Sequence, residues 1–143
     1  MSLKSVTAAE VAADPAHFDT VIDVRSPSEF AEDHLPGAVN WPVLDDAQRR
    51  EVGTLYKQTS PLEARKLGGA MVARNIADHL DRWVRDKPRE WQPLVYCWRG
   101  GQRSGSLAWF LDQVGFRTAR LDGGNKRTEA HTSDLQSPDN FVY

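Results

Sequence analysis

The one cysteine of the chain, Cys97, stands in the stretch YCWRGGQRSGS (residues 96–106), directly before Trp98, Arg99, Gly100 and Gly101. A strand that runs into a cysteine, a glycine loop and then a helix opening near Gln102, Arg103 and Ser104 is a physical recipe for holding an anion. Glycines let successive backbone N–H groups turn inward as a nest, and the helix adds the positive end of its dipole. The same field favours a thiolate over the free thiol, which ordinarily titrates at about 8.5. Arg103 completes the spacing Cys-x5-Arg and supplies a guanidinium fork for a tetrahedral oxyanion. Arg99 stands as a cation at the rim, and Trp98, poorly placed for the core, reads as a substrate wall or a docking face. Ser104 either caps the helix or supports the thiolate, capping being the simpler role. Two reactions fit these residues: transfer of a sulfur-group atom through a Cys-bound intermediate, and phosphate ester hydrolysis through a phosphocysteine. An inert buried cysteine, the commoner fate of a lone thiol, is the structural alternative.

Pattern and punctuation predict the elements that must position this loop. QPLVYC (92–97) is a short apolar run, expected as a buried strand ending at the cysteine, and RSGSLAWFLDQVG (103–115) as an amphipathic helix closed by Gly115. FRTARLDGG (116–124) reads as a strand ending in a glycine turn, and DTVIDVR (19–25) as a buried strand whose functional end is Asp23 to Arg25. SPSEFAEDH (26–34) starts a short helix, with Ser26 as N-cap, Pro27 at the first helical position and Glu29 closing a capping box. LPGAVNWPV (35–43) is broken by Pro36, Gly37 and Pro42 into a turn, a brief strand and a turn. LDDAQRREVGTLYKQ (44–58) is helical, with Leu44, Ala47, Val52 and Leu55 on one face. SPLEARKLGGAMVARNIADHLDRWV (60–84) repeats the Ser-Pro start and predicts a long helix, eased at Gly68 and Gly69, with Trp83 in the core. Strands alternating with helices imply an α/β fold with a mainly parallel sheet, in which ligands sit at the carboxyl ends of the strands.

At 143 residues the chain suits one domain with a single core. No apolar run approaches the roughly 20 residues of a membrane span, and the N-terminus has no apolar segment of a signal peptide. One cysteine excludes an internal disulfide and a cysteine-based zinc site, which fits a reducing cytoplasm. The net charge of −2 argues against a generally nucleic-acid-coating protein, but it is uneven. Residues 1–60 carry five cations against ten acids, whereas residues 97–127 carry six against two, so the cysteine lies in the basic part. Such a local field would draw an anionic substrate.

DVRSPSEFAEDHLPGAVNWP (23–42) resembles the N-terminal signature of the rhodanese-like superfamily, Asp-Val-Arg-x3-Glu-Phe followed by His-Leu/Ile-Pro-Gly-Ala-x-Asn. LDGGNKR (121–127) resembles its C-terminal Gly-Gly turn. The resemblance implies a three-layer α/β fold, a central mainly parallel sheet flanked by helices, over residues 1–127. Residues 128–143 form a polar tail without helical periodicity, expected to be loosely ordered. EVGTLYKQTSPLEARKLGGAMVARNIADHL (51–80), together with YCWRGGQRS, is similar to the rhodanese part of the bacterial tRNA 2-selenouridine synthases. Ordinary rhodaneses are shorter over 44–86 and space the loop Cys-x4-Arg.

That resemblance implies replacement of the sulfur of a wobble 2-thiouridine by selenium, with Cys97 handling the chalcogen. It implies selenophosphate as co-substrate of the full enzyme, tRNA as partner, and no cofactor in this chain. A P-loop domain normally follows in that family, and no Gly-x4-Gly-Lys-Ser/Thr occurs in these 143 residues, so a P-loop domain or protein is an expected partner. Three readings stand beside it: a stand-alone thiosulfate sulfurtransferase, a rhodanese-fold cysteine phosphatase, and a non-catalytic docking module. The phosphatases share Cys-x5-Arg-Ser but carry His before the cysteine, where this chain has Tyr96.

Three residues are expected to support the loop. Asp23 orients it from a strand end, and Arg25 and Glu29 pair at i,i+4. His34 is read as a loop-stabilising side chain. His17, His79 and His131 show no ligand spacing, so no metal site is expected.

Overall fold

The structure, a computed structural model, describes residues 3–97 and 102–121, Gln102 by its backbone alone. The expectations for Trp98, Arg99, Gly100, Gly101, the Gln102 side chain, the glycine turn after Leu121 and the tail lie outside the described residues. Five strands form one sheet: β1 (Lys4–Val6), β2 (Thr20–Asp23), β3 (Val39–Asn40), β4 (Pro93–Tyr96) and β5 (Ala119–Leu121), in the order β1-β5-β4-β2-β3. All four pairings are parallel. The helices are α1 (Ala8–Ala13), α2 (Pro27–Glu32), α3 (Asp46–Gln58), α4 (Pro61–His79) and α5 (Gln102–Val114).

Side-chain alternation along the strands divides the interior in two. Ile22, Val24, Val95 and Cys97 point to the face covered by α3, α4 and α5, where they pack with Val52, Ala64, Val72, Ile76, Leu107 and Leu111. Val21, Leu94, Tyr96, Ala119 and Leu121 point to the opposite face, against Val11 of α1, Phe18 and Leu35. Tyr96 and Cys97 are neighbours in sequence and lie on opposite sides of the sheet.

Local chemistry sets the helix starts. Ser26 and Glu29 form the expected capping box, with Glu29 Oε1 accepting the Ser26 N–H at 3.1 Å and the Ser26 hydroxyl at 2.9 Å. Ser60 Oγ accepts the Glu63 N–H at 3.0 Å. α3 begins later than the apolar pattern predicts. Asp45 accepts the Gln48 N–H at 2.7 Å and Gln48 reaches back to the Asp45 N–H at 2.9 Å, so Leu44 precedes the helix and is fully buried. α4 runs unbroken through Gly68 and Gly69. Its departure from α geometry comes at the end, where Leu80–Val84 form a π-helical turn and the Arg85 N–H reaches the Leu80 carbonyl at 3.1 Å.

Trp83 is half-buried against the core, stacked on Trp41 at 4.9 Å. Gly115 closes α5 at φ +125°, a conformation that disfavours any side chain, and the Phe116 N–H then bonds the Leu111 carbonyl at 3.1 Å. β1, at the edge beside β5, has no sequence signature: it is three residues long, and Lys4 and Ser5 are exposed.

Candidate active site at the carboxyl end of the sheet

Because every strand runs the same way, the ends of β2 and β4 lie side by side, Asp23 in register with Tyr96. Cys97 follows β4 at 1% exposure and is a free thiol. Its Sγ accepts the backbone N–H of Ser104 at 3.3 Å. Ser104 is the third residue of α5, so it does not cap the helix as expected. The helix opens at Gln102 and aims a first-turn N–H, one of those left without an intrahelical partner, at the sulfur.

Arg103 is 5% exposed and holds Glu29 through both ends of its fork, Nη1 to Oε1 at 2.8 Å and Nη2 to Oε2 at 3.3 Å. Arg49 of α3 donates to the same Oε1 at 2.9 Å. Burial alone would raise the Glu29 pKa, but the hydrogen bond and charge of Arg103, the charge of Arg49 and the Ser26 hydroxyl together carry it down to about 2. For Arg103, burial opposes the charge and is outweighed by Glu29 and the nearby Cys97, so its pKa is raised.

Asp23 and Arg25 form a second, closed pair. Arg25 Nε and Nη2 donate to the Asp23 carboxylate, Nη2 to Oδ2 at 2.8 Å, and the Arg25 N–H bonds Oδ1 at 2.9 Å. Arg25 Nη2 also donates to the Asp33 carbonyl. The expectation of an Arg25–Glu29 pair at helical spacing is corrected here: Arg25 precedes the N-cap Ser26, so helical geometry does not govern it, and its guanidinium goes to Asp23. Asn40 Nδ2 ties this corner together by donating to the carbonyls of Asp23 at 3.0 Å and Arg25 at 2.9 Å. His34 stabilises the following loop, stacked on Phe30 at 3.7 Å with Nδ1 2.7 Å from the Phe30 carbonyl. Tyr96, facing the other side, accepts the Leu35 N–H at 3.0 Å.

The structure therefore gathers Asp23, Arg25, Glu29, Cys97, Arg103 and Ser104 at one end of the sheet. Sequence reasoning missed Arg49 and Asn40. Asn40 lay within the quoted signature, whereas Arg49 gave no local signal, its partner being 20 residues away. A groove of about 580 Å³ opens beside Glu29, lined among others by Ser26, Ser28, Arg49, Arg50 and Lys57. Among the described residues no three His, Cys, Asp or Glu side chains gather as a metal site, and no helix is long and apolar enough to cross a membrane.

A cysteine at the end of a central parallel strand, facing the first turn of the next helix with an arginine six residues on, is the arrangement of a cysteine-loop α/β domain. The model of the family described as rhodanese-like domain matches residues 7–131, and the chain belongs to this family. It is 41% identical over 108 residues to the tRNA 2-selenouridine synthase of Nitrosomonas europaea, covering 75% of this chain and 28% of that protein. It is 38% identical over 108 residues to that of Pseudomonas putida, covering 74% and 29%. The chain thus spans less than a third of the length of the curated relatives it matches. Among solved structures it is similar to the N-terminal domain of a putative ATP/GTP binding protein from Clostridium difficile. The TM-score is 0.65 at 30% identity, over 92% of this chain and 98% of that one. A human single-domain sulfurtransferase shares the fold, with a TM-score of 0.50 at 22% identity over 91% and 97%.

Proposed function

We propose that this domain transfers a sulfur or selenium atom through Cys97, as the rhodanese part of a tRNA 2-selenouridine synthase acting on a wobble 2-thiouridine. The observation that carries the reading is the position of the Cys97 sulfur, at the end of β4 with a first-turn N–H of α5 donating to it. That N–H, the helix dipole and the cluster around Arg103 all favour negative charge there. The names of the relatives support the substrate class.

With a thiosulfate-type donor the thiolate attacks the outer sulfur. A new S–S bond forms to Cys97, the donor's own S–S bond breaks, and sulfite leaves with the electron pair. The acceptor later takes the outer sulfur of the persulfide and returns the thiolate. In the full enzyme selenophosphate is the co-substrate, with tRNA held largely by a P-loop domain in the cytoplasm. In this reading Trp98, Arg99, Gly100, Gly101, Gln102, Arg103 and Ser104 are the residues that bind the anionic donor, and Asp23, Arg25 and Glu29 support them. This domain itself needs no cofactor.

Incubation with a sulfur or selenium donor should add a sulfur- or selenium-sized mass to Cys97, absent in Cys97→Ser. Rapid hydrolysis of an aryl phosphate with no such adduct would replace this reading by the phosphatase one.

A further inference from the structure

Arg25, Arg49 and Arg103 are each held by a carboxylate, the first by Asp23 and the other two by Glu29. Arg120 of β5 is not: among the described residues its guanidinium enters no hydrogen bond or ion pair. Arg120 stands opposite Val95 of β4, so it lies on the face of the sheet that bears Val95 and Cys97, while its neighbours Ala119 and Leu121 pack on the other. The half-buried side chain crosses to the first turn of α5, where Nη1 lies 3.0 Å from the place a Cβ would take on Gly105. Gly105 directly follows Ser104, whose N–H bonds the Cys97 sulfur at 3.3 Å. Glycine is the poorest helix former after proline, and inside α5 its bare Cα leaves room for the guanidinium. The one acid of α5, Asp112, is on the same flank but seven residues on, about 10 Å further along the axis and away from the Cys97 end. Asp122 lies outside the described residues.

We propose that Arg120 is a specificity-determining residue of the cysteine site: a cation committed to no described carboxylate, which draws tetrahedral oxyanion donors to the sulfur in preference to neutral ones. Arg103 is buried with both ends of its fork on Glu29. Arg120 adds a second guanidinium from the neighbouring strand, open to water on one side and with its N–H donors uncommitted. One such charge beside a partly screened site raises the local concentration of an anion roughly three- to tenfold. Gly105 serves the same end, since any side chain there would compete with the guanidinium for its place.

The inference rests on the proposed function, with Cys97 as the reacting group and an anion as its donor. Its test compares two alkylating probes of similar size on Cys97, the chain's one cysteine: iodoacetate, an anion, and iodoacetamide, which is neutral. Both consume the same thiolate, so the ratio of their rates cancels any change in thiolate fraction and in access, and reads the charge beside the sulfur. Arg120→Gln should lower the iodoacetate-to-iodoacetamide ratio roughly three- to tenfold, and Arg120→Lys should keep most of it. Gly105→Leu, which fills the place of the guanidinium, should lower the ratio in the same direction, and this arm stands even if the glutamine variant does not fold. Arg117→Gln, an exposed charge just before β5 begins and so at the far end of the sheet, should leave it unchanged. A parent ratio in folded Arg120→Gln or Gly105→Leu, or an equal fall in Arg117→Gln, would overturn the inference. A Cys97 that reacts with neither probe in the folded parent would instead remove the proposed function itself.

Discussion

Arg103 and Glu29, 74 residues apart in sequence, meet through two hydrogen bonds of 2.8 and 3.3 Å and bind the first turn of α5 to the first turn of α2. The pair ties α2 to α5 beside Cys97. Glu29→Gln should cost about 2 kcal/mol at neutral pH, because Arg49 and Arg103 both keep their charges and lose their common partner. Glu29 titrates at about 2 in the fold against 4.5 ordinarily, so its contribution is complete above about 4.5 and is lost as pH falls through about 2. Urea titrations of parent and variant at pH 7, 4 and 2.5 should therefore converge at the acid end.

Tyr96 stabilises the same end of the sheet from the face opposite Cys97. The phenolic oxygen accepts the Leu35 N–H on the face away from Cys97, and burial pushes its pKa up, so it stays protonated. Tyr96→Phe removes both the acceptor for the Leu35 N–H and the hydroxyl's hydrogen bond with Asp23, and should lower stability by about 1 kcal/mol. Urea titrations of parent and Tyr96→Phe would measure the loss.

His79 gives stability a pH dependence of its own. It is 6% exposed, stacked on Trp83 at 5.1 Å, with Nε2 2.6 Å from the Pro42 carbonyl, so the proton sits on Nε2. Burial lowers its pKa more than the Pro42 bond raises it. The folded state therefore resists a second proton that the unfolded chain accepts, and stability should be level above about pH 6.5 and decline below it. His79→Phe should flatten the decline between pH 6.5 and 5, at the cost of about 1 kcal/mol at pH 8 for the lost bond. Thermal midpoints across that range would measure it.

What the sequence revealed was chemistry acting over a few residues. The Ser26 and Ser60 starts, the Gly115 stop and the cysteine at a strand end each follow from side chains close to the feature they set. Contacts made by assembly were not legible. Nothing near Arg49 says that α3 will bring it onto Glu29, and Lys4–Val6 becomes a strand only because β5 offers a parallel edge, Lys4 opposite Ala119. Ser104 and Arg25 were misread for one reason, a helix boundary. One lies inside its helix and the other outside, and a shift of two or three residues decides whether an N–H or a side chain faces the site.

The sheet's uniform direction also governs what can be attached to the domain. β5 lies beside β4, Ala119 opposite Leu94 and Arg120 opposite Val95, and runs the same way. β5 therefore ends, at Leu121, at the end of the sheet that bears Cys97. A module tethered there would be delivered to the sulfur at an effective concentration on the order of millimolar for a short flexible linker. Even a weakly held acceptor would then compete well with bulk solvent for the transferred atom.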